Sequence, residues 1–153
     1  MMAYAEKTSV ATSQSVMEIE RTLTKYGADQ FMYGTKPGSV AVGFVMSGRQ
    51  VRIVVPLPAK TDKQFWLTDT GRDRSETAAL KEWDQACRQR YRALALVVKA
   101  KLEAVEAGIT TFEEEFMAHL VLPSGETVSQ RLLPEIKEAQ RTGKLPPLLP
   151  HVG

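Results

Sequence analysis

The sequence has little of what catalytic and metal-binding sites are usually built from. It contains one cysteine, Cys87, and two histidines, His119 and His151. A disulfide framework within the chain is therefore excluded, and a zinc site of histidines and cysteines has almost no ligands to draw on. There is also no Walker loop, no G-x-G-x-x-G segment and no G-x-S-x-G elbow. We expect no cofactor and no metal, and a non-enzymatic role is favoured, with an enzyme of unrecognised site as an alternative.

Long apolar runs are missing as well. The most apolar stretch, RALALVVKAKL at 92–102, is too short to span a bilayer and is interrupted by lysine. The start, MMAYAEKTSV, has no apolar signal segment. We therefore expect a cytoplasmic protein with no membrane partner.

The totals indicate one ordinary domain. The chain has 153 residues, of which 43% are hydrophobic and 25% are charged, and its formal net charge is +2. Such a small charge does not by itself require a nucleic-acid partner, so that function must be argued from local clusters. We predict a single α+β domain over 1–153, with a flexible arm at 1–12, a long polar loop at 59–74 and an extended proline-rich tail at 144–153.

The longest stretch without glycine or proline, Ser75 to Gly108, predicts a long central helix. Its large apolar residues recur in steps of three and four, which is typical of a face that packs on a core. Alanines spaced by seven predict a second face that another helix approaches closely. The large apolar stripe is Leu80, Trp83, Cys87, Tyr91, Leu94, Val98, Leu102 and Val105, and the alanine stripe is Ala79, Ala86, Ala93 and Ala100.

The remaining pattern completes the α+β layout. A first helix is predicted at about Val16–Tyr26, followed by a three-stranded antiparallel meander on which the long helix packs. A glycine within the second strand, Gly43, predicts a bulge or a close approach by another element. Short helices are expected towards the C-terminus, and the last of them should begin at Pro134, a residue suited to the first helical turn.

Helix caps are readable in four places, and the first is a capping box of Ser15 with Glu18 that would open the first helix. Asp73 with Glu76 predicts the capping box that opens the long helix. Thr110 and Thr111 are placed to cap a short helix, and Thr127 with Gln130 to cap another helical turn.

Cations line a third face of the long helix, within about 40° of a single line. The preceding loop adds more cations and an aromatic residue on which a base could stack. Exposed cations at backbone spacing are what phosphate contacts require, so these residues predict a nucleic-acid interface. The alternative is a solvated face neutralised by Asp84, Glu103 and Glu106. The predicted nucleic-acid-binding residues are Lys81, Arg88, Arg92 and Lys99 on the helix and Lys60, Lys63, Trp66, Arg72 and Arg74 in the loop.

Two further segments invite a function. Glu113, Glu114 and Glu115 begin a predicted helix, and Glu115 lies one turn from His119, as in a metal or acid–base pair. The same glutamates also suit the positive end of the helix dipole, or a docking patch for a basic protein surface. The tail sequence LPPLLP resembles ligands of aromatic grooves, and the alternative is a strap over the protein's own apolar surface.

Four segments, YAEKT, YGADQF at 26–31, ACRQRYRALALVVKAKLEAVEAGITTFEEEF at 86–116 and GKLPPLLP, together resemble a small protein encoded widely in bacteriophages and prophages. That family has no assigned function. The resemblance implies a phage origin and a role inside the infected bacterial cell, and it brings no catalytic residues.

These observations lead to one hypothesis and its alternatives. The leading hypothesis is a non-enzymatic phage accessory protein that binds DNA or RNA in recombination or replication. The rival is a protein-binding inhibitor of a host defence complex that uses Glu113, Glu114 and Glu115. A homo-oligomer is compatible with either.

Overall fold

A computed structural model describes residues 2–149, with side chains from residue 12 onward, and has an α+β fold. In chain order the elements are α1 (Met2–Lys25), β1 (Gln30–Lys36), β2 (Ser39–Met46), β3 (Arg49–Pro56), α2 (Lys63–Trp66), α3 (Glu76–Glu106), α4 (Phe112–Phe116), a 3-10 turn (Met117–His119) and α5 (Val128–Thr142). Among the described helices, none is long and apolar enough to cross a membrane.

The three strands form an antiparallel meander in the order β1-β2-β3. Both hairpin loops have two residues, Pro37-Gly38 and Ser47-Gly48. In the second loop both residues have positive φ, 54° and 71°, which gives the turn a twist that matches that of the strands. Gly43 pairs in register with a residue on either side, so the predicted bulge is absent. It faces the side of the sheet opposite to the helices.

The core lies between the other side of the sheet and the helices. Alternate residues of β2 are buried because they point towards α1 and α3. Most of the predicted large apolar stripe of α3 is buried against them, which confirms the packing expected of the long helix. α4 adds Phe116, whose ring meets that of Phe44 edge-on at 5.6 Å between centroids. Members of this core include Ile19, Leu23, Val42, Phe44, Leu94, Val98, Leu102 and Phe116.

The first helix is longer than predicted. α1 begins at Met2, so residues 2–12, where the sequence predicts an arm, are helical, and the capping box predicted at Ser15 and Glu18 is wrong because both residues lie inside α1. The segment has no glycine or proline, and its alanine, glutamate and lysine residues favour helix. α1 also packs along α3, which stabilises a helix beyond its intrinsic propensity.

The polar loop at 59–74 is partly ordered. It contains α2, whose Phe65 is buried, and a backbone bridge joins Leu67 to Asp73. The indole Nε1 of Trp83 on α3 donates to the carbonyl oxygen of Pro58 at 2.8 Å and holds the start of the loop. The long helix is capped by the hydroxyl of Ser75, which accepts from the Ala78 N–H at 3.2 Å, so the predicted box of Asp73 and Glu76 is wrong.

The C-terminal caps are as expected, but the last helix is not. Thr111 caps α4, and Thr127 with Gln130 forms a capping box. α5 starts there and continues through Pro134 as a single helix, instead of beginning at that proline. The reciprocal hydrogen bonds of the capping box satisfy the first turn, so the helix starts before the proline. Of the predicted tail, residues 150–153 lie outside the described part.

Candidate interaction surfaces

The cations of α3 lie on the flank that faces α1. Lys81, Arg92 and Lys99 are exposed, whereas Arg88 is partly buried. Arg88 and Arg92 line a groove of about 340 Å³ between the two helices. Residues of both helices form its walls, namely Gln14, Ser15, Glu18, Arg88, Arg92 and Leu96. The face therefore combines cations with a carboxylate contributed by α1.

Arg88 is bound to a carboxylate that lies almost inside the core. Its Nε is 3.6 Å from Oδ2 of Asp84, and Asp84 is only 4% exposed. Burial raises the pKa of Asp84, and the positive charge of Arg88 opposes that rise. The sequence signal was available, because Asp84 falls between members of the large apolar stripe. Arg88 thus stabilises the fold in addition to any role at the surface.

Cys87 lies on the same turn and is buried, as expected of a small hydrophobic residue. Burial raises the pKa of its thiol, and the negative charge of Asp84 adds to that rise. A thiol with a raised pKa has little thiolate and is a poor nucleophile.

Several of the predicted loop residues bind the protein itself. The indole Nε1 of Trp66 donates to the carbonyl oxygen of Lys60 at 2.7 Å. The ammonium group of Lys60 lies 4.8 Å from the centre of the Trp83 ring, a cation–π contact. Nη1 of Arg74 donates to the carbonyl oxygens of two residues of α2, Gln64 and Phe65. Lys63 and Arg72 are exposed.

The loop at 59–74 and the cations of α3 lie on opposite flanks of that helix. Trp83 marks the loop side, because the loop is bonded to it. Arg92 marks the α1 side and follows nine residues later, which places it about 180° around the helix axis from Trp83. The nine predicted residues therefore do not form one continuous basic surface.

The acidic residues are also engaged within the chain. Oε1 of Glu113 accepts from Nε of Arg49 at 3.1 Å, and Oε1 of Glu115 lies 3.2 Å from Nζ of Lys101. A backbone hydrogen bond and the bond from Arg49 lower the pKa of Glu113. Within the described residues there is no group of three histidine, cysteine, aspartate or glutamate side chains that could hold a metal ion. This weakens the prediction of an acidic docking patch, because Glu113 and Glu115 are already paired with cations of the same chain, whereas Glu114 is exposed.

His119 belongs to this cluster but is not a free imidazolium at neutral pH. Burial lowers the pKa of His119, and the nearby charge of Lys101 lowers it further. The neutral ring is suited to its partly buried position at the end of the 3-10 turn.

The most exposed apolar surface is formed by α5 and the tail that follows it. From Gln130 to the end of the described tail, every residue is exposed. Leu132, Leu133 and Ile136 form one apolar face of α5, and in the tail Leu145 is 92% and Leu148 is 98% exposed. The tail is therefore no strap over the domain. The apolar period of α5 is visible in the sequence. A helix predicted to begin at Pro134, however, leaves Leu132 and Leu133 outside it.

The C-terminal half of the alanine stripe of α3 is uncovered too, whereas Ala79 is buried and Ala86 is half-buried. Ala93 and Ala100 are exposed, and so are the neighbouring Leu96 and Val97. At Ala93 and Ala100 the expected close approach of a second helix is wrong, because α1 packs on the other flank, beside Arg88 and Arg92. The face lies opposite to the core side of the helix.

Comparison with known proteins adds no relative: no family model, no curated protein and no solved structure matches this chain.

Proposed function

We propose that the protein is a non-enzymatic binding protein that docks on another protein through its C-terminal segment, residues 128–149. The observation that carries the proposal is the exposed apolar face of α5, continued by exposed leucines in the tail. Amphipathic helices that lay an apolar face in a groove are a common mode of protein recognition, with anchors spaced by three and four residues. Leu132, Leu133 and Ile136 have this spacing.

The energetics of α5 support a partner. A helix of 15 residues without tertiary packing is marginal in water, and Pro134 removes one of its backbone hydrogen bonds. Only the beginning of α5 is held, because Val128 donates its N–H to the carbonyl oxygen of Leu120 at 2.9 Å. A groove that covers the apolar face would supply the missing packing.

The tail extends the same surface at low cost. Its Leu-Pro pairs favour a polyproline conformation, so little chain entropy is lost when residues 144–149 bind. The charged side of α5 carries cations and carboxylates together, including an Arg141–Glu138 pair at 2.6 Å, and it suits solvent. The partner surface we infer is therefore an apolar, aromatic-lined groove.

The resemblance to a phage-encoded family supports a setting for this activity. We propose that the chain acts in the cytoplasm of an infected bacterium, where its partner would be a host protein such as a subunit of a defence complex. The acidic residues at the start of α4 are not needed for this contact.

The test compares two α5 variants in the same assay. A partner captured from infected cells with the wild-type protein is purified, and its affinity is measured by calorimetry. Replacing Leu132 and Ile136 by Asp should weaken binding at least about tenfold, because charges would enter an apolar groove. Replacing Glu138, which lies at least about 120° around the helix from the three anchors, by Ser should change the affinity less than about twofold. Equal affinities for the two variants would remove α5 from the interface.

A second candidate function is nucleic-acid binding by α3. The observation that favours it is the alignment of Lys81, Arg92 and Lys99, which are exposed and lie within about 20° of one line on the helix. These cations could contact phosphates without any base readout.

Mobility-shift titration over a salt series tests this function. Wild-type protein should bind DNA or RNA with an affinity that falls steeply with salt, and replacing Arg92 and Lys99 by Glu should abolish binding. Replacing Lys63 and Arg72 by Glu, on the opposite flank, is the matched control. Absence of salt-dependent binding at micromolar protein excludes the candidate.

A further inference from the structure

The two edges of the sheet differ in how they are protected from pairing with another strand. The outer edge of β3 carries Arg52 and ends at Pro56, and the Val121 N–H already donates to the carbonyl oxygen of Gln50 at 2.8 Å. Charges, prolines and covering segments are the usual means of blocking an edge. The edge of β1 has none of these between Gln30 and Thr35, and its pairing with β2 is continuous.

The hairpin geometry shows which backbone groups this edge presents. In a two-residue hairpin the residues flanking the loop form a hydrogen-bonded pair, so Lys36 and Ser39 bond to each other. Bonded and non-bonded pairs alternate along the ladder. The even-numbered residues of β1 therefore bond to β2, while the N–H and C=O groups of Phe31, Tyr33 and Thr35 point outwards.

The bonds of the second hairpin agree with this alternation of bonded and non-bonded pairs. The Leu57 N–H donates to the carbonyl oxygen of Gly38 at 2.8 Å, which makes these two residues a bonded pair. Counting back along β2, its even-numbered residues bond to β3, and its odd-numbered residues are left for β1. Among the described residues, no backbone group outside the sheet bonds to Phe31, Tyr33 or Thr35.

We propose that the β1 edge pairs with the β1 edge of a second copy of this chain, antiparallel and across a two-fold axis at Tyr33. Phe31 of each copy then faces Thr35 of the other, and Tyr33 faces Tyr33. This register uses all three outward residues and forms six backbone hydrogen bonds. The two three-stranded sheets become one sheet of six strands.

The side chains suit a second copy. Lys36 would face Gln30 of the other copy, so no like charges meet across the contact. On the open face, Met32, which is 74% exposed, would lie opposite Gly34. A side chain at Gly34 would meet nothing within 4 Å in the single chain. The dimer supplies a reason for a glycine inside a strand, because it leaves room for the methionine of the other copy.

A contact along seven residues is smaller than the roughly 800 Å² per partner of a standard interface. We therefore expect a reversible dimer with a dissociation constant on the order of 10 μM. This dimer is independent of the proposed function of α5, since the two surfaces share no residue.

Disulfide trapping tests the register. In a bonded antiparallel pair the Cα atoms are about 5.5 Å apart, which a disulfide can bridge. Tyr33→Cys should therefore cross-link under mild oxidation. Met32→Cys is the control, because position 32 faces position 34 of the other copy and not its own equivalent. Exposure alone would favour cross-linking at 32, since Met32 is 74% exposed and Tyr33 is 48% exposed. We expect cross-linking at 33 to be at least about tenfold faster; equal rates, or faster cross-linking at 32, overturn the proposal.

Sedimentation equilibrium tests the edge itself. Thr35→Pro removes an outward N–H and spares the bonds to β2, so the dimer should weaken at least about tenfold. Val54→Pro removes an outward N–H from the opposite edge of the sheet and should leave the dimer unchanged. The proposal is overturned if the protein stays monomeric up to about 500 μM, roughly fifty times the expected dissociation constant. Equal weakening of the dimer by the two variants also overturns it.

Discussion

Arg88 and Asp84 form an ion pair one turn apart on α3, with Nε of the arginine 3.6 Å from Oδ2 of the aspartate. The side chain of Asp84 is 6% exposed and that of Arg88 is 29% exposed, so the pair lies at the boundary of the core. A cation predicted to bind phosphate is thus also the counter-charge of a buried carboxylate. Its substitution tests stability as well as binding.

Replacing Arg88 by Ala should lower the free energy of unfolding by about 1–2 kcal/mol, because the buried carboxylate of Asp84 would lose its attraction to the guanidinium group. Arg92→Ala, one turn further and exposed, should change it by less than about 0.5 kcal/mol. Urea unfolding of the two variants checks the difference. Equal effects would mean that Arg88 contributes only as an exposed residue.

The contribution of Asp84 to the stability of the protein should fall as pH rises through the titration of its carboxyl group. Its pKa is raised above the ordinary 3.8 by burial, so between 3.8 and the raised value the folded state binds more protons than the unfolded state. Stability gained from the protonated form is present at low pH and lost above the folded pKa. The difference in unfolding free energy between wild type and Asp84→Asn should shrink or reverse as pH rises across this window. A pH-independent difference would contradict the assignment.

Cys87 should resist thiol reagents in the folded protein. Burial limits access, and the raised pKa of the thiol leaves little thiolate at neutral pH. We expect less than about one tenth of the thiol to react with Ellman's reagent in minutes under native conditions, and all of it in denaturant. Rapid native reaction would show that the helix surface opens around Cys87.

Removing residues 132–149 should leave the stability of the domain nearly unchanged. Every side chain in this range of the C-terminal segment is exposed, so its loss removes no core packing. We expect the thermal midpoint to shift by less than about 3 °C, while helix content measured by circular dichroism decreases. A large drop in the midpoint would mean that the segment folds back on its own domain.

Phe116→Ala provides the contrasting case. Phe116 is fully buried and packs edge-on against Phe44 and tilted against Phe112. Its truncation should cost about 3–5 kcal/mol, through lost burial and the cavity that remains. Denaturant unfolding measures the loss, and a cost below about 1 kcal/mol would contradict the core position of α4.

Periodicity predicted the core face of α3 correctly but also predicted a helix packed against the alanine stripe, which is covered at Ala79 and uncovered at Ala93 and Ala100. The steps of three and four identify residues that share a face, and burial of Leu94, Val98 and Leu102 confirms that face. Spacing alone carries no information about which element lies opposite. Ala93 and Ala100 therefore remain exposed, although their pattern suits close helix packing.

Residue spacing was also insufficient to predict the arrangement of the nucleic-acid-binding residues. Residue types and spacing identified the cations of α3, and three of the four are exposed. They could not show that the loop bearing Lys60 and Trp66 turns to the other flank of the helix, because that path depends on the long-range bond from Trp83 to Pro58. The exposure of the tail leucines could not be predicted either, because leucine next to proline occurs both in straps and in binding segments.

By itself, the sequence determined the α+β layout, the length of the central helix, the meander with its two short turns and the residues of the core, because these follow from local propensity and from the period of apolar residues. Only the tertiary structure decided which flank of α3 receives α1, which cations pair with buried carboxylates, which edge of the sheet is left open, and that α5 and its tail have no cover within the chain. Those outcomes depend on contacts between residues far apart in sequence, and no local pattern encodes such contacts.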